Sequence, residues 1–454
     1  MTRNTISASV YLVLVVVAIT SRIWPFPLGR EIGIALTVTF LALEISRAPA
    51  LQRNVGALLF FIGTLSAWAG GDLVGGLMNG LERSQIFLVM FFAVMWLREP
   101  AVVSPSLRTL RDAVVAQPAG RRFPILWLSG HILGSVLNLA AMSLLSAMVA
   151  DQKNARLQKR LSLCLMHGFT TASTWGPFYV SIAVILSAIP GLSWIEIAPL
   201  GFALSMCLLI VGWTYDRLFL REKPAPDSVR PGPPLTAGTI GRAALILVQL
   251  IFLVMGAHEL VGLSIPVALG VIGPPFAIAW AAVQAKKGRR WHTGARPLIR
   301  RIFSNLPELR NEAVAFVAAS VLGVGVSRVL PPEKIGAALY EYGIHPDVVV
   351  VGVVFGTSLL GMAGLHPVVI AILVGEVLPP EVIGIAPEVL AVALLGVWGT
   401  STMVSPFSAT TLFMARVVGL PSHVIAWRWG PPLILLSACV VAAYVVIIRH
   451  LLYS

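Results

Sequence analysis

The chain has 454 residues, of which 57% are hydrophobic and 12% charged, with a formal net charge of +13. Its apolar runs repeatedly exceed the ~20 residues a helix needs to cross a bilayer, which excludes an ordinary soluble domain and points to a polytopic membrane protein. The positive charge does not point to nucleic acid, because it gathers in 98–122, 153–160, 217–242 and 286–310, loops of the kind that face the cytoplasm and the headgroups of membrane lipids.

The N-terminal stretch MTRNTISASVYLVLVVVAITSRIWP has a basic start and an apolar centre but no small-x-small cleavage site, so a retained first span is expected rather than a signal peptide. Spans follow near 7–22, 30–46, 54–69 and 84–97. A cytoplasmic N-terminus puts Arg47, Arg53 and the loop 98–122 inside and Asp72 outside; Arg22 and Arg30 depart from the pattern.

Residues 123–151 are long enough to span, yet Arg121 and Arg122 precede them and Lys153, Arg156, Lys159 and Arg160 follow. Both flanks belong on the cytoplasmic side, so the segment reads as a re-entrant hairpin with its tip near Gly134, Ser135 and Asn138. Irregular backbone at that depth requires surrounding protein or a watery cavity. Residues 162–190 then cross outward and 194–215 cross back. The proline- and charge-rich stretch 216–242 reads as a cytoplasmic linker. Spans near 243–256 and 260–283 follow, then a basic loop over 284–311 with an interfacial helix, and an outward crossing over 311–330.

Residues 348–375 pose the hairpin pattern in reverse. Asp347 precedes them and Glu376, Glu381 and Glu388 follow, so this second hairpin enters from the external face. Residues 389–415 cross inward and 425–448 outward, leaving the C-terminus external. The hairpins align: SVLNLAAMS (135–143) lies over SLLGMAGLH (358–366). Each is followed at a similar interval by a related octet, TASTWGPF (171–178) and TSTMVSPF (400–407). The expected architecture is all-α, with two inverted repeats over 1–215 and 243–454, each holding a re-entrant hairpin and a discontinuous helix. Such repeats with a midplane site mark secondary transporters.

The octets carry the chemistry. Proline lacks an N–H and clashes with the carbonyl four residues earlier, so Pro177 frees the carbonyl of Ser173 and Pro406 that of Thr402. Neighbouring hydroxyls of Thr171, Ser173, Thr174, Thr400, Ser401, Thr402 and Ser405, water, or a bound ion can satisfy the gap. Broken helices offer N-terminal ends that attract anions and freed carbonyls that attract cations. The bland alternative is a pair of proline kinks that bind nothing.

No Asp, Glu, Lys or Arg occurs in 123–150, 162–190, 348–375 or 389–415, so a carboxylate relay or an arginine clamp is not supported there. Asn138, Ser135, Ser358, Gly361 and His366 complete the candidate site, with His131, His167 and Trp175 as weaker candidates. Cys164, Cys207 and Cys439 show no metal-ligand spacing and read as free thiols. No nucleophile–base pair or phosphate loop appears, so no enzyme activity is expected.

On SVLNLAAM, SLLGMAGL, TASTWGPF and TSTMVSPF the chain resembles the ion transporter superfamily, which includes divalent anion/sodium symporters and the membrane subunits of tripartite periplasmic transporters. The resemblance implies a homodimer whose scaffold holds an elevator-like moving core. Its sodium-coupled dicarboxylate members carry Ser-Asn-Thr at the hairpin tips; here Ser135 and Asn138 are separated by two residues, and Ser358 is paired with Gly361.

The expected function is secondary active transport of a small anionic solute, an organic acid first, across the cytoplasmic membrane. The coupling cation is sodium, held at the carbonyls of Ser173 and Thr402, with the proton as the alternative; no other cofactor or metal is expected. The other readings are an efflux permease or exchanger for an inorganic or toxic anion, the membrane subunit of a tripartite system with a periplasmic binding protein, and, furthest, a membrane enzyme or lipid-handling protein.

Overall fold

The computed structural model describes residues 2–117, 119–221, 236–284 and 292–453. Most of the expected linker (222–235) and part of the second basic loop (285–291) lie outside the described residues. Among the described residues the only regular elements are helices.

The first stretch of chain forms α1 (Arg3–Ile23), α2 (Gly29–Glu44), α3 (Ala50–Ala69) and α4 (Leu73–Val103). Then come α5 (Pro105–Val115), α6 (Ala119–Leu137), α7 (Leu139–Leu145), α8 (Ala147–Ala150), α9 (Ala155–Thr171), α10 (Val180–Ala188) and α11 (Trp194–Tyr215). The second half holds α12 (Ala237–Val261), α13 (Ile265–Gln284), α14 (His292–Asn305), α15 (Arg310–Val329), α16 (Pro332–Glu341), α17 (Pro346–Met362) and α18 (Pro367–Val377). It ends with α19 (Pro380–Ile383), α20 (Pro387–Val404), α21 (Ala409–Val418), α22 (Ser422–Val424) and α23 (Pro431–Leu452). Eight helical stretches among the described residues are long and apolar enough to cross a membrane, and the chain is an all-α polytopic membrane protein.

Several elements differ from the sequence expectation. The span expected at 84–97 is one helix of 31 residues, α4, because Asp72 caps its start by accepting from Gly75 N. The span expected from 425 starts at Pro431, since a wide π-helical turn fills Ile425–Trp429. The start of the expected linker is helical too: Asp216–Leu220 prolongs α11 as a π-helical turn. α16 has no counterpart in the reading above. The basic loop does hold a helix, α14, whose sequence HTGARPLIRRIFSN is amphipathic.

The chain alternates between two compact units. One takes 1–105 and 245–332; the other takes 106–244 and 333–454. In the first, α15 packs on α3 and α4, and α13 packs on α4. Small residues let these backbones approach: a Cβ on Gly63 would meet Leu322 Cα and N at 2.7 Å. Glu44 is fully buried there; it accepts from Ser7 Oγ at 2.7 Å and pairs with Arg47 and Arg310 at 3.1 and 3.5 Å. A carboxylate taken out of water needs such partners.

The second unit is built around α20, whose side chains are almost all buried. Its core joins Leu204 and Leu208 of α11, Val350 and Val354 of α17, Val389, Val392 and Val397 of α20, and Val441 and Val445 of α23. Pairings recur between its two sequence portions. α6 packs on α9 as α17 packs on α20, and α10 meets α18 as α21 meets α8. At the start of α9, Arg160 forms a two-pronged pair with Asp216 at 2.6 and 2.7 Å, and its guanidinium lies over the Phe123 ring of α6.

Candidate functional site: two interrupted helices

Both octets interrupt their helices. α9 ends at Thr171, tightens into a 3-10 turn over Ala172–Thr174 and stops; α10 begins at Val180, past Pro177. α20 ends at Val404, and α21 begins at Ala409 under a cap in which Ser408 Oγ accepts from Thr411 N. The freed carbonyls are met from beyond each break. Ser181 Oγ donates to Ser173 O at 2.8 Å. Ser408 Oγ and Thr411 Oγ1 donate to Thr402 O, the latter at 3.0 Å. Sequence reasoning missed Ser181, Ser408 and Thr411; the signal was a hydroxyl placed two to five residues after the helix-breaking proline. A carbonyl has two lone pairs, so Ser173 O, with one such donor, keeps one for another partner, whereas the two donors at Thr402 O take up both.

The hydroxyls of the octets themselves turn back on their own helices. Thr171 Oγ1 donates to Gly168 O at 2.9 Å and Ser173 Oγ to Thr170 O at 2.7 Å. Ser401 Oγ donates to Trp398 O at 2.9 Å, Thr402 Oγ1 to Gly399 O at 2.6 Å, and Thr400 Oγ1 lies 3.2 Å from Gly396 O. A hydroxyl has one proton. Once that proton is held by the backbone, the oxygen faces any ligand as an acceptor, which suits a cation or an N–H and disfavours direct contact with an anion.

The breaks and the hairpins come together in this unit. A Cβ on Gly399 would meet Ser173 Oγ at 2.5 Å and would overlap Thr170 O, so the two interrupted helices touch at their breaks. Thr170 Oγ1 also lies 3.5 Å from Met403 Sδ. A Cβ on Gly176 would meet Ser135 Cα and O at 3.0 Å, and one on Gly361 would meet Ser401 Cβ at 2.9 Å. Ser135, Thr171, Ser173, Gly361, Thr400, Ser401 and Thr402 therefore share one region. Thr174 faces elsewhere, with Oγ1 2.8 Å from Gly201 O of α11. Ser358 lies one turn before Gly361, buried, with Oγ on Val354 O at 3.0 Å. Ser405 is buried in the unwound stretch with its N–H on Ser401 O at 3.2 Å.

The first hairpin turns at Asn138, one of the residues expected at its tip, and the second turns a few residues past Ser358 and Gly361. Gly134 and Ser135 belong to α6, and the chain turns at Asn138, with φ 51° and ψ −138°. That backbone is costly for any residue but glycine and occurs where the surroundings enforce it. Asn138 is half-buried and stands at the head of α7 without capping it. In the second hairpin Ser358 and Gly361 lie inside α17; the turn follows at Gly364, φ 99°, because glycine tolerates that conformation and Pro367 starts the next helix. His366 Nδ1 accepts from Val368 N at 3.2 Å and its ring stands edge-on to Trp398. His131 and Trp175, weaker candidates in the sequence, are joined: Trp175 Nε1 donates to His131 Nε2 at 3.1 Å. Among the described residues no group of three or more His, Cys, Asp or Glu side chains is placed to hold a metal ion.

No family model matches the sequence, and no curated protein sequence does. Solved structures do. The YdaH transporter of Alcanivorax borkumensis aligns at a TM-score of 0.51 with 15% identity, covering 82% of this chain and 87% of that one. Neisseria gonorrhoeae MtrF, which illuminates a class of antimetabolite efflux pumps, aligns at a TM-score of 0.42 with 14% identity, over 100% of this chain and 96% of the other. At such identities likeness speaks to fold alone, and the fold of this all-α membrane protein is similar to that of YdaH.

Proposed function

We propose that the protein is a secondary active transporter of the ion transporter superfamily type, moving a small anionic solute, an organic acid, across the cytoplasmic membrane in symport with sodium. The observation that carries this reading is the meeting of two interrupted helices at Gly399 and Thr170 in a region whose polar groups carry no ionised side chain. Helices are not unwound in hydrocarbon without a compensating role, because each unpaired backbone group there costs several kcal/mol. The hydroxyl oxygens of Ser173, Thr400, Ser401 and Thr402, with the second lone pair of the Ser173 carbonyl, form a set of neutral acceptors suited to a sodium ion, and the Thr402 carbonyl joins it by giving up one of its two hydroxyl donors. The anion is assigned to donors: the Asn138 amide and the backbone N–H groups at the starts of α10 and α21, where helix dipoles favour negative charge.

In this reading the two halves form inverted repeats, the unit of 1–105 and 245–332 is the scaffold, and the unit of 106–244 and 333–454 moves as an elevator within a homodimer. The experiment is counterflow in liposomes loaded with succinate, glutamate, benzoate or sulfate in turn, with and without a sodium gradient. Uptake of a carboxylate that rises with inward sodium supports the reading. Retained fold with no counterflow of any of the four anions contradicts it.

A further inference from the structure

The polar groups between α6 and the first break form a hydrogen-bonded chain, with the Gly168 carbonyl beside both His131 and Thr171. Trp194 Nε1 donates to Trp175 O at 2.7 Å, and Trp175 Nε1 donates to His131 Nε2 at 3.1 Å. His131 Nδ1 lies 3.1 Å from Thr171 Oγ1, whose own proton goes to Gly168 O. An indole nitrogen only donates, so Nε2 holds no proton; the Thr171 proton is committed, so Nδ1 supplies the one between them. His131 is thereby assigned by its partners as the neutral Nδ1–H tautomer. A proton arriving at Nε2 would set two N–H groups against each other, and the bond to Trp175 would be lost.

We propose that His131 is a proton-binding site at which the proton and the Trp175 indole compete for Nε2, so that protonation breaks the side-chain bond between the first break and the first hairpin. Trp175 opens the unwound stretch, and the next residue, Gly176, is seated on Ser135. Moving the indole therefore moves a wall of the candidate solute site. His131 is 2% exposed and Trp175, its hydrogen-bond partner, is half-buried. The other groups on the packed elements are few. α9 presents His167, which is buried with neither ring nitrogen hydrogen-bonded to a described residue, and the Cys164 thiol, with Arg156 and Lys159 at its far end. Arg160 and Asp216 satisfy each other at the far end of α9, Arg121 and Arg122 stand at the far end of α6, and Glu196 caps the helix that carries Trp194. α7 and the 3-10 turn carry no ionisable side chain.

The inference deepens the transport reading, and its consequence for coupling, which names the proton beside or in place of sodium, rests on that reading; the bond itself does not. The test accordingly reads the bond. Purified protein with nitrogen-labelled indoles is followed by NMR from neutral to mildly acidic pH, the Trp175 resonance being the one missing in Trp175→Phe. The wild-type resonance is expected to move on acidification. In His131→Gln, whose amide can accept from Trp175 and donate to Thr171 without titrating, it is expected to stay. A resonance that is static in the wild type, or that moves equally in His131→Gln, overturns the proposal. Histidine-labelled Trp175→Phe gives an independent arm: without its competitor His131 must take up its proton at higher pH than in the wild type, and an unchanged midpoint overturns the proposal as well.

Discussion

Gly399 and Asn138 are the residues at which the site is most tightly defined. Gly399 lets the second broken helix touch the first, and a methyl group there would overlap the backbone oxygen of Thr170. Backbone cannot yield as a side chain can, so Gly399→Ala should destabilise the protein by about 1–3 kcal/mol, the usual cost of overpacking, read as a lower melting temperature in detergent. Asn138 predicts the opposite sign. Its φ of 51° and ψ of −138° suit glycine, and such strain costs about 1–3 kcal/mol. Asn138→Gly should therefore melt higher while transporting less, since it loses the amide assigned to the anion; unchanged stability would remove the argument from strain. The octets were legible because proline and clustered hydroxyls stand out in apolar sequence. The partners of the freed carbonyls were not, because Ser181, Ser408 and Thr411 are set by how the chain turns after the break.

Among the elements, the breaks themselves were readable from Pro177 and Pro406, and the hairpin turns only to within a few residues. A helix runs on until something stops it. Gly134 and Gly361 do not, so α6 reaches Leu137 and α17 reaches Met362. The close approach of α9 and α20 was beyond sequence reasoning, since glycine at 399 has many uses in an apolar helix. The first broken helix is tied at its outer end to α11 by Arg160 and Asp216, with Asp216 1% exposed. Removing one partner of a buried pair typically costs about 3–5 kcal/mol, whereas replacing both with apolar residues is often neutral. Asp216→Asn should thus lower the melting temperature strongly and Arg160→Met with Asp216→Leu should recover most of it. Equal loss in the single and double variants would mean that the pair fixes α9 through its charge rather than by filling space.

On the scale of the whole molecule, each portion of the chain feeds both compact units, 1–105 and 245–332 in one, 106–244 and 333–454 in the other. The membrane character and helical class were legible in composition alone. The division into units was not, because hydropathy reports which residues avoid water and not which helices keep company. In the proposed mechanism neutral dipoles at two unwound turns hold the solute and its cation. Pro177→Ala and Pro406→Ala test it most directly, because each returns an N–H that can bond the freed carbonyl of Ser173 or Thr402 and close the helix. Carboxylate counterflow in liposomes should fall at least about tenfold in each variant, a difference of about 1.4 kcal/mol, with size-exclusion profile and helix content kept. Wild-type counterflow in both variants would contradict the account.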